Sequence, residues 1–334
     1  MKHNIAVVGA SGLVGRKILQ LLDEFDIEIN NLYLYSSAKS AGKIIKFKGN
    51  GYVLLELKQE NLVSKKIDFA LFSAGNSVSK EFAPMLAQSG AIVIDNSSYF
   101  RMQSDVPLIV PEVNPEAINT HKNIISNPNC STIQAMVVLA PLHKRYKIKK
   151  LVFSTYQAVS GAGQKGCADL KNGIAGKENK FFPHPIFNNI LPHIDVFYDD
   201  GYTKEEYKMI NETRKILNDE SIKITATAVR VPVFNCHSES VNVEFEKPCD
   251  INEIKQILTN SENVIVLDDF LNCSYPTPLQ VTGKNEVFVG RIRKDFSVES
   301  GVNLWIVADN IRKGAATNAV QILKLLINKI IINN

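Results

Sequence analysis

No stretch of this 334-residue sequence approaches the ~20 consecutive apolar residues that a membrane helix requires. The opening Met1-Lys2-His3-Asn4 leads into only Ile5-Ala6-Val7-Val8 before Gly9, too short an apolar run for a signal-peptide core. Cysteine is scarce. Cys130, Cys167, Cys236, Cys249 and Cys273 make an odd number, and no two are spaced CxxC. Neither a disulfide framework nor a zinc site of that kind is expected, which points to a reducing, cytoplasmic compartment and no metal. One-sided charge is lacking too. The 38 Lys and Arg stand against 34 Asp and Glu and are mostly interspersed with them, which argues against a nucleic-acid partner. There is no internal repeat and no low-complexity linker. What is present is an ordinary globular balance, 45% apolar and 22% charged, in a chain long enough for two domains.

The first part alternates strand and helix. Ile5 to Val8 reads as a short buried strand, and Gly9 to Gly12 as a turn. Leu13, Val14, Ile18, Leu21 and Leu22 then recur at helical spacing. Strands follow at Leu32 to Tyr35, Phe69 to Phe72 and Ala91 to Ile94, with a helix from Glu81 to Ser89. This order predicts parallel βαβ units. After about Asn127 the pattern changes. A helix is expected from Ser131 to His143, and a strand from Leu151 to Tyr156. Two more strands, Ile222 to Val233 and Ser238 to Glu246, are joined by a short loop. Long successive strands predict a mostly antiparallel or mixed sheet. A last helix runs from Lys313 to Ile330, with Ala315, Ala319, Ile322, Leu323 and Leu326 as its apolar stripe. The fold class is therefore α/β, a Rossmann-type domain plus an α+β domain.

Gly9-Ala10-Ser11-Gly12-Leu13-Val14-Gly15 is a strand-to-helix turn spaced GxxGxxG. The first glycine permits the sharp turn, the second lets backbone approach a pyrophosphate, and the third allows close helix packing. The helix N-terminus offers N–H groups and partial positive charge to phosphates. No nucleoside-triphosphate loop ending in Gly-Lys-Ser or Gly-Lys-Thr occurs. The plainer alternative is a tight turn with no ligand. An NAD site usually carries an acid at the end of the second strand. Here the chain reads Tyr35-Ser36-Ser37-Ala38-Lys39-Ser40, three hydroxyls and a Lys that suit a 2′-phosphate and favour NADP over NAD. A solvated polar loop is the alternative.

Ser126-Asn127-Pro128-Asn129-Cys130-Ser131-Thr132 is a tight loop running into a helix. It places Cys130 at a helix N-terminus, where the macrodipole favours thiolate over thiol and makes a nucleophile. His237, in the loop between two strands, is expected to take the proton from Cys130 and later return one, although a lone His is more often structural. In Tyr156-Gln157-Ala158-Val159-Ser160-Gly161-Ala162-Gly163 the glycines let backbone approach a ligand, and Gln157 can donate and accept.

Together these residues resemble the bacterial aspartate-semialdehyde dehydrogenases over nearly the whole chain. The resemblance is carried by Gly9 to Gly15, Ser37 to Gly42, Phe72 to Gly75, Asp95 to Arg101, Val110 to Asn114 and Asn127 to Thr132. It continues through Ser154 to Gly163, Asp195 to Phe197, Tyr202 to Lys208, Val229 to Ser240, Phe288 to Lys294 and Asp309 to Ala316. It implies a glyceraldehyde-3-phosphate-dehydrogenase-like architecture. Residues 1–128 with 311–334 would be the NADP-binding domain, and 129–310 the catalytic and dimerisation domain of a homodimer. It implies NADPH-dependent reduction of L-aspartyl 4-phosphate to aspartate 4-semialdehyde and phosphate, feeding diaminopimelate, lysine, threonine and methionine synthesis.

The resemblance also assigns roles. Cys130 is the nucleophile and His237 the acid–base. Gln157 lies beside the substrate, and Arg101 and Lys208 hold its phosphate. Glu205 meets the α-amino group and Arg230 the α-carboxylate, for which a bidentate Arg is suited. Read alone, Glu205 and Lys208 would be a solvated i,i+3 pair on a helix. Cofactor contacts are implied at Gly9, Ser11, Gly12, Leu13 and Val14, and at Ser37, Lys39 and Ser40. Further ones fall on Ser73, Gly75 and Asn96, and on Ser160, Gly161 and Asn310. The chain departs from the family in two places. Lys39 stands where many relatives have Arg, and the Lys- and Asn-rich stretch from Lys165 to His184 is short.

Two other functions fit less well. N-acetyl-glutamyl-phosphate reductase performs the same chemistry on a substrate with no free ammonium for Glu205. A non-catalytic nicotinamide-binding regulator would leave Cys130, His237 and the cations without a shared purpose.

Overall fold

The computed structural model describes residues 2–333. The chain forms two compact units, Met1–Pro128 with Ala315–Asn334, and Asn129–Gly314.

The first unit runs β1 (His3–Val8), α1 (Leu13–Glu24), β2 (Ile29–Ser36), a hairpin of β3 (Ile44–Phe47) and β4 (Asn50–Val53), and β5 (Leu55–Glu56). It continues through α2 (Gln59–Val63), β6 (Phe69–Phe72), α3 (Asn76–Gln88), β7 (Ile92–Asp95) and β8 (Ile124–Ser126). Its main sheet has the order β5-β2-β1-β6-β7-β8 and every pairing in it is parallel. A parallel sheet covered on both faces needs apolar strands, and all six residues of β1 are buried. Successive side chains point to opposite faces. Ile5 and Val7 join the core that contains Ile18 and Leu22 of α1, while Ala6 and Val8 join the one that contains Ala83 and Leu86 of α3. The last helix, α9 (Asn318–Asn333), belongs to this unit and adds Ala319, Ile322, Leu323 and Leu326 to the first of these cores. Truncating a fully buried leucine such as Leu22 to Ala would destabilise the unit by about 2–5 kcal/mol.

The second unit contains α4 (Cys130–Tyr146), β9 (Ile148–Gln157), α5 (Gly163–Ile174), α6 (Lys204–Leu217), β10 (Lys223–Arg230) and β11 (His237–Phe245). Then come α7 (Ile251–Thr259), β12 (Val264–Val266), α8 (Pro278–Val281), β13 (Val287–Lys294) and β14 (Gly301–Ala308). The sheet order is β10-β9-β11-β14-β13-β12. It is mixed, as expected: β10 pairs parallel to β9 and β12 to β13, and the other neighbours are antiparallel.

Several details differ from the sequence reading. The strand expected from Ile222 to Val233 ends at Arg230, and His237, expected in the loop, is the first residue of β11. The third helix begins at Asn76 rather than Glu81, because Gly75 at φ +93° turns the chain into it. A π-helical turn, Arg312–Thr317, precedes α9, so the regular helix starts later than Lys313. The strands joined by the short 231–236 loop do not pair with each other. They flank β9, and the loop passes over its end. The stretch from Lys165 to His184 forms most of α5 and then a loop anchored by Asp169, whose carboxylate accepts the N–H groups of Lys180, Phe181 and Phe182 at 2.8 Å each. Among the described residues no helix is long and apolar enough to cross a membrane.

Candidate active site

Cys130 is the first residue of α4 and is half-buried. The helix starts there because Asn129 caps it, its side-chain oxygen accepting the N–H groups of Ser131 at 3.0 Å and Thr132 at 3.3 Å. Asn129 is itself held from α6, where Glu212 accepts its backbone N–H at 2.6 Å and Glu205 accepts its side-chain amide at 2.8 Å. A Cβ on Gly314 would lie 3.0 Å from that of Cys130, so a larger residue there would press on Cys130. Two of the other cysteines sit in surroundings that disfavour the thiolate. Burial pushes the Cys236 thiol up to about 12 and raises that of Cys167 as well.

The crossing loop gathers three of the expected residues at one end of the sheet. Arg230, last in β10, is in register with Gln157, last in β9, while Ser238 of β11 is opposite Tyr156. His237 therefore stands beside the Gln157 end. Val231 N–H donates to the Gln157 carbonyl at 3.0 Å, and Val159 N–H to that of Val233 at 2.9 Å, fixing the crossing. The His237 ring is fully buried, and its Nδ1 accepts the N–H of Ala158 at 3.0 Å. Burial, with help from the nearby Arg230 guanidinium, pulls its pKa down to about 3. Arg230 donates to the Ala158 carbonyl at 2.7 Å. A Cβ on Gly161 would lie 2.9 Å from an Arg230 guanidinium nitrogen and 3.2 Å from His237 Nε2, so both groups face the space this glycine leaves.

A buried polar network adjoins them. Gln157 donates to Ser131 Oγ and, at 3.2 Å, to Glu205. Glu205 and Lys208 are indeed an i,i+3 pair on a helix at 2.9 Å, but Glu205 is buried and Lys208 half-buried rather than solvated. Burial alone would raise the Glu205 carboxyl. Lys208, together with hydrogen bonds from Lys208, Asn129 and Gln157, wins and lowers it to about 2. Lys208 also pairs with Asp195 at 2.8 Å. Burial would lower its ammonium, but the two acids raise it. The site thus carries a permanent anion, two cations, an imidazole and a thiol.

In the first unit, Gly9 stands at φ +89°, and a Cβ there would come within 2.8 Å of the Ser73 backbone. A Cβ on Gly15 would reach 2.2 Å from the Gly9 carbonyl, so α1 packs against the turn only with glycine there. The Gly12 cap has no side chain in front of the α1 N-terminus. This cradle fits a dinucleotide pyrophosphate. Ser11, Leu13 and Val14 are half-buried around it. Ser37 and Lys39 are exposed, and the Ser37 carbonyl accepts the Ser40 N–H at 2.9 Å, closing a turn after β2. Asn96 donates to the Phe72 carbonyl at 2.7 Å, next to the segment that bears Ser73 and Gly75. Arg101 is buried and donates to the Asn127 and Asn96 carbonyls at 3.0 and 2.8 Å.

The expected site residues therefore fall into two groups. Gly9 to Val14, Ser37, Lys39, Ser40, Ser73, Gly75, Asn96 and Arg101 lie in the first unit. Cys130, Gln157, Ser160, Gly161, Glu205, Lys208, Arg230, His237 and Asn310 lie in the second. Asn310 donates to Ser160 Oγ at 3.0 Å and accepts the Cys236 N–H at 3.0 Å, which brings Ser160 and Asn310 next to His237. Sequence reasoning did not single out Asn129, Ser131, Gln134, Ala158 or Glu239. Gln134 donates to the His237 carbonyl at 3.2 Å, and Glu239 is fully buried.

A glycine-turn sheet unit, and a unit that holds a cysteine opening a helix and a buried histidine, are the parts of a cysteine-based, nicotinamide-dependent dehydrogenase. Comparison with known proteins agrees. The pattern described as semialdehyde dehydrogenase, NAD binding domain, matches residues 4–121, and that described as semialdehyde dehydrogenase, dimerisation domain, matches 139–313. An aspartate-semialdehyde dehydrogenase of Aquifex aeolicus is 54% identical, with 98% of this chain and 99% of that protein covered. One of Campylobacter jejuni is 48% identical, with 96% of each covered. The crystal structure of aspartate semialdehyde dehydrogenase II from Vibrio cholerae complexed with ASA superposes with a TM-score of 0.94 at 43% identity, covering 98% of this chain and 99% of that one. The enzyme of Candida albicans with NADP gives 0.77 at 26%, with 98% of each covered. The chain belongs to the aspartate-semialdehyde dehydrogenase family.

Proposed function

We propose that this protein catalyses the reversible, NADPH-dependent reductive dephosphorylation of L-aspartyl 4-phosphate to L-aspartate 4-semialdehyde and phosphate, in the cytoplasm, for lysine, threonine and methionine synthesis. The observation that carries this reading is the buried Glu205 carboxylate, tied through Asn129 to the start of the Cys130 helix. A fixed anion there suits a substrate with a free ammonium group. An N-acetylated glutamyl substrate has none, and a regulator would need neither the anion nor the cysteine.

In this reading the positive end of α4 favours the Cys130 thiolate, which attacks the acyl carbon as the bond to phosphate breaks and leaves a thioester. Arg101 and Lys208 hold the phosphate, Arg230 the α-carboxylate and Glu205 the ammonium. Gln157 and His237 border the reacting group. The first unit would hold the nicotinamide cofactor through Gly9 to Val14, Ser73, Gly75 and Asn96, with Ser160, Gly161 and Asn310 of the second unit as further contacts. When bound, the reduced cofactor supplies hydride. Ser37, Lys39 and Ser40, with no acid among them, support NADP over NAD. A homodimer through the second unit is supported by its exposed apolar side chains, Phe270, Leu271, Leu279 and Phe296.

The test is turnover in the oxidative direction with phosphate. Aspartate semialdehyde should react and N-acetyl-glutamate semialdehyde should not. kcat/KM should be higher with NADP than with NAD, and Lys39→Ala should weaken NADP by ~10-fold while sparing NAD, since a hydrogen bond to a charged group contributes about 1.5–3 kcal/mol. Turnover of neither aldehyde would overturn the reading.

A further inference from the structure

Glu239 sits on β11 in the same inward row as Val241, Val243 and Phe245, and none of it is exposed. Among the described residues it has no ion pair, and neither of its carboxyl oxygens meets a well-formed hydrogen bond. A buried carboxyl without a cation is rare, and buried oxygens are seldom left without donors. The groups against it belong to the start of α4: the Ser131 hydroxyl and the Gln134 amide. Gln134 Nε2 already donates to the His237 carbonyl at 3.2 Å, while its Oε1 has no partner. Across the strands Thr155, in register with Glu239, is buried with its hydroxyl unpartnered as well.

Ser131 leads from this cluster to the candidate site. The Glu205 carboxylate can only accept, so it fixes Gln157 Nε2 as a donor, at 3.2 Å, and the second hydrogen of that amide goes to Ser131 Oγ. Ser131 Oγ is thus an acceptor toward Gln157, and its own O–H must point elsewhere. Glu239 offers the buried acceptor for it. An ionised Glu239 would accept from Ser131 but would leave Gln134 Oε1 without a donor and a buried charge without a counter-ion. A carboxylic acid satisfies all three oxygens, since one accepts the Ser131 O–H and the other donates its own proton to Gln134 Oε1. Burial holds the group in that form, well above its ordinary pKa.

We propose that Glu239 is a positioning residue for the reaction. As an uncharged acid it takes the Ser131 O–H, which turns Ser131 Oγ toward Gln157 as an acceptor and clamps the Gln157 amide between Ser131 and the Glu205 carboxylate. Glu239 touches no substrate and exchanges no proton during turnover. The inference rests on the reading that places Gln157 beside the reacting group.

The experiment is steady-state kinetics with aspartate semialdehyde, phosphate and NADP for wild type, Glu239→Met, Glu239→Gln, Ser131→Ala, and Glu239→Met combined with Ser131→Ala. Met fills the space of the acid without its hydrogen bonds. It should lower kcat by ~10-fold, short of the loss on the order of 100-fold that a 1 Å misplacement causes. KM for the aldehyde should change little, because Glu205 keeps Lys208 and Asn129. Glu239→Gln keeps an acceptor for Ser131 and a donor for Gln134, and should restore most of kcat. Ser131→Ala should lower kcat as Glu239→Met does, and the combined variant should be no slower than either alone, since both break one chain. A Glu239 that served the fold alone would move the thermal midpoint without this pattern. Glu239→Gln as slow as Glu239→Met, wild-type kcat in Ser131→Ala, or losses that multiply in the combined variant would each overturn the proposal. If Glu239→Met does not fold, Glu239→Gln and Ser131→Ala still decide. A wild type inactive on aspartate semialdehyde overturns the functional reading and this inference with it, whereas an active wild type with one of those three outcomes overturns this inference alone.

Discussion

Asn129 Nδ2 donates a 2.8 Å hydrogen bond to Glu205 Oε1 across 76 residues of sequence. One side chain therefore caps the helix that begins with Cys130 and, at the same time, orients the carboxylate assigned to the substrate ammonium. Moving α6 would move both.

Glu205→Gln keeps an oxygen for Asn129 but removes the charge. KM for aspartate semialdehyde should rise by ~10-fold or more, since a hydrogen bond to a charged group contributes about 1.5–3 kcal/mol. The rate of Cys130 alkylation should change little. Steady-state kinetics beside iodoacetamide alkylation rates check this. An unchanged KM would remove Glu205 from substrate binding.

Arg230→Lys keeps the charge but loses the planar fork and the fixed bond to the Ala158 carbonyl. A carboxylate anchored less firmly lets the reacting carbon shift, and a misplacement near 1 Å lowers rate by on the order of 100-fold. Both a fall in kcat and a rise in KM are expected. Wild-type kinetics in this variant would refute the anchoring role.

Glu239 gives a pH signature. It is fully buried on β11, and Ser131 and Gln134 border it without supplying a well-formed hydrogen bond. Burial dominates and raises its pKa well above the ordinary value of 4.5. A carboxyl raised in the folded state contributes stability that is full below 4.5 and is lost as pH rises through its folded pKa. Glu239→Gln should abolish that loss. Thermal midpoints of the two proteins should converge toward pH 4, with the variant gaining relative to wild type as pH rises. A gap independent of pH would contradict this.

What the sequence disclosed was local. Gly9 to Gly15 and Asn127 to Thr132 are short runs in which spacing alone fixes a turn and the start of a helix, so the cradle and the position of Cys130 were readable. The Gln157–Glu205–Asn129 network was not, because its partners are 48 and 76 residues apart and only the sheet order brings them together. The crossing of β9 by the 231–236 loop was hidden for the same reason. A short loop between two strands reads as a hairpin, yet here it carries Arg230 and His237 to either side of Gln157. Glu239 did leave a trace. Its parity with Val241, Val243 and Phe245 points it inward, but Ser238, Glu239 and Ser240 together look like a solvated strand end.

The most direct test of the account is a single turnover with aspartate semialdehyde and NADP in the absence of phosphate, followed by mass spectrometry of the peptides. The Cys130 thiolate adds to the aldehyde, and loss of hydride to the cofactor leaves an aspartyl thioester that phosphate is not there to cleave. The account predicts a stoichiometric burst of NADPH and an aspartyl adduct on Cys130, both absent in Cys130→Ala. A burst with Cys130 unmodified, or an adduct on another residue, would contradict it.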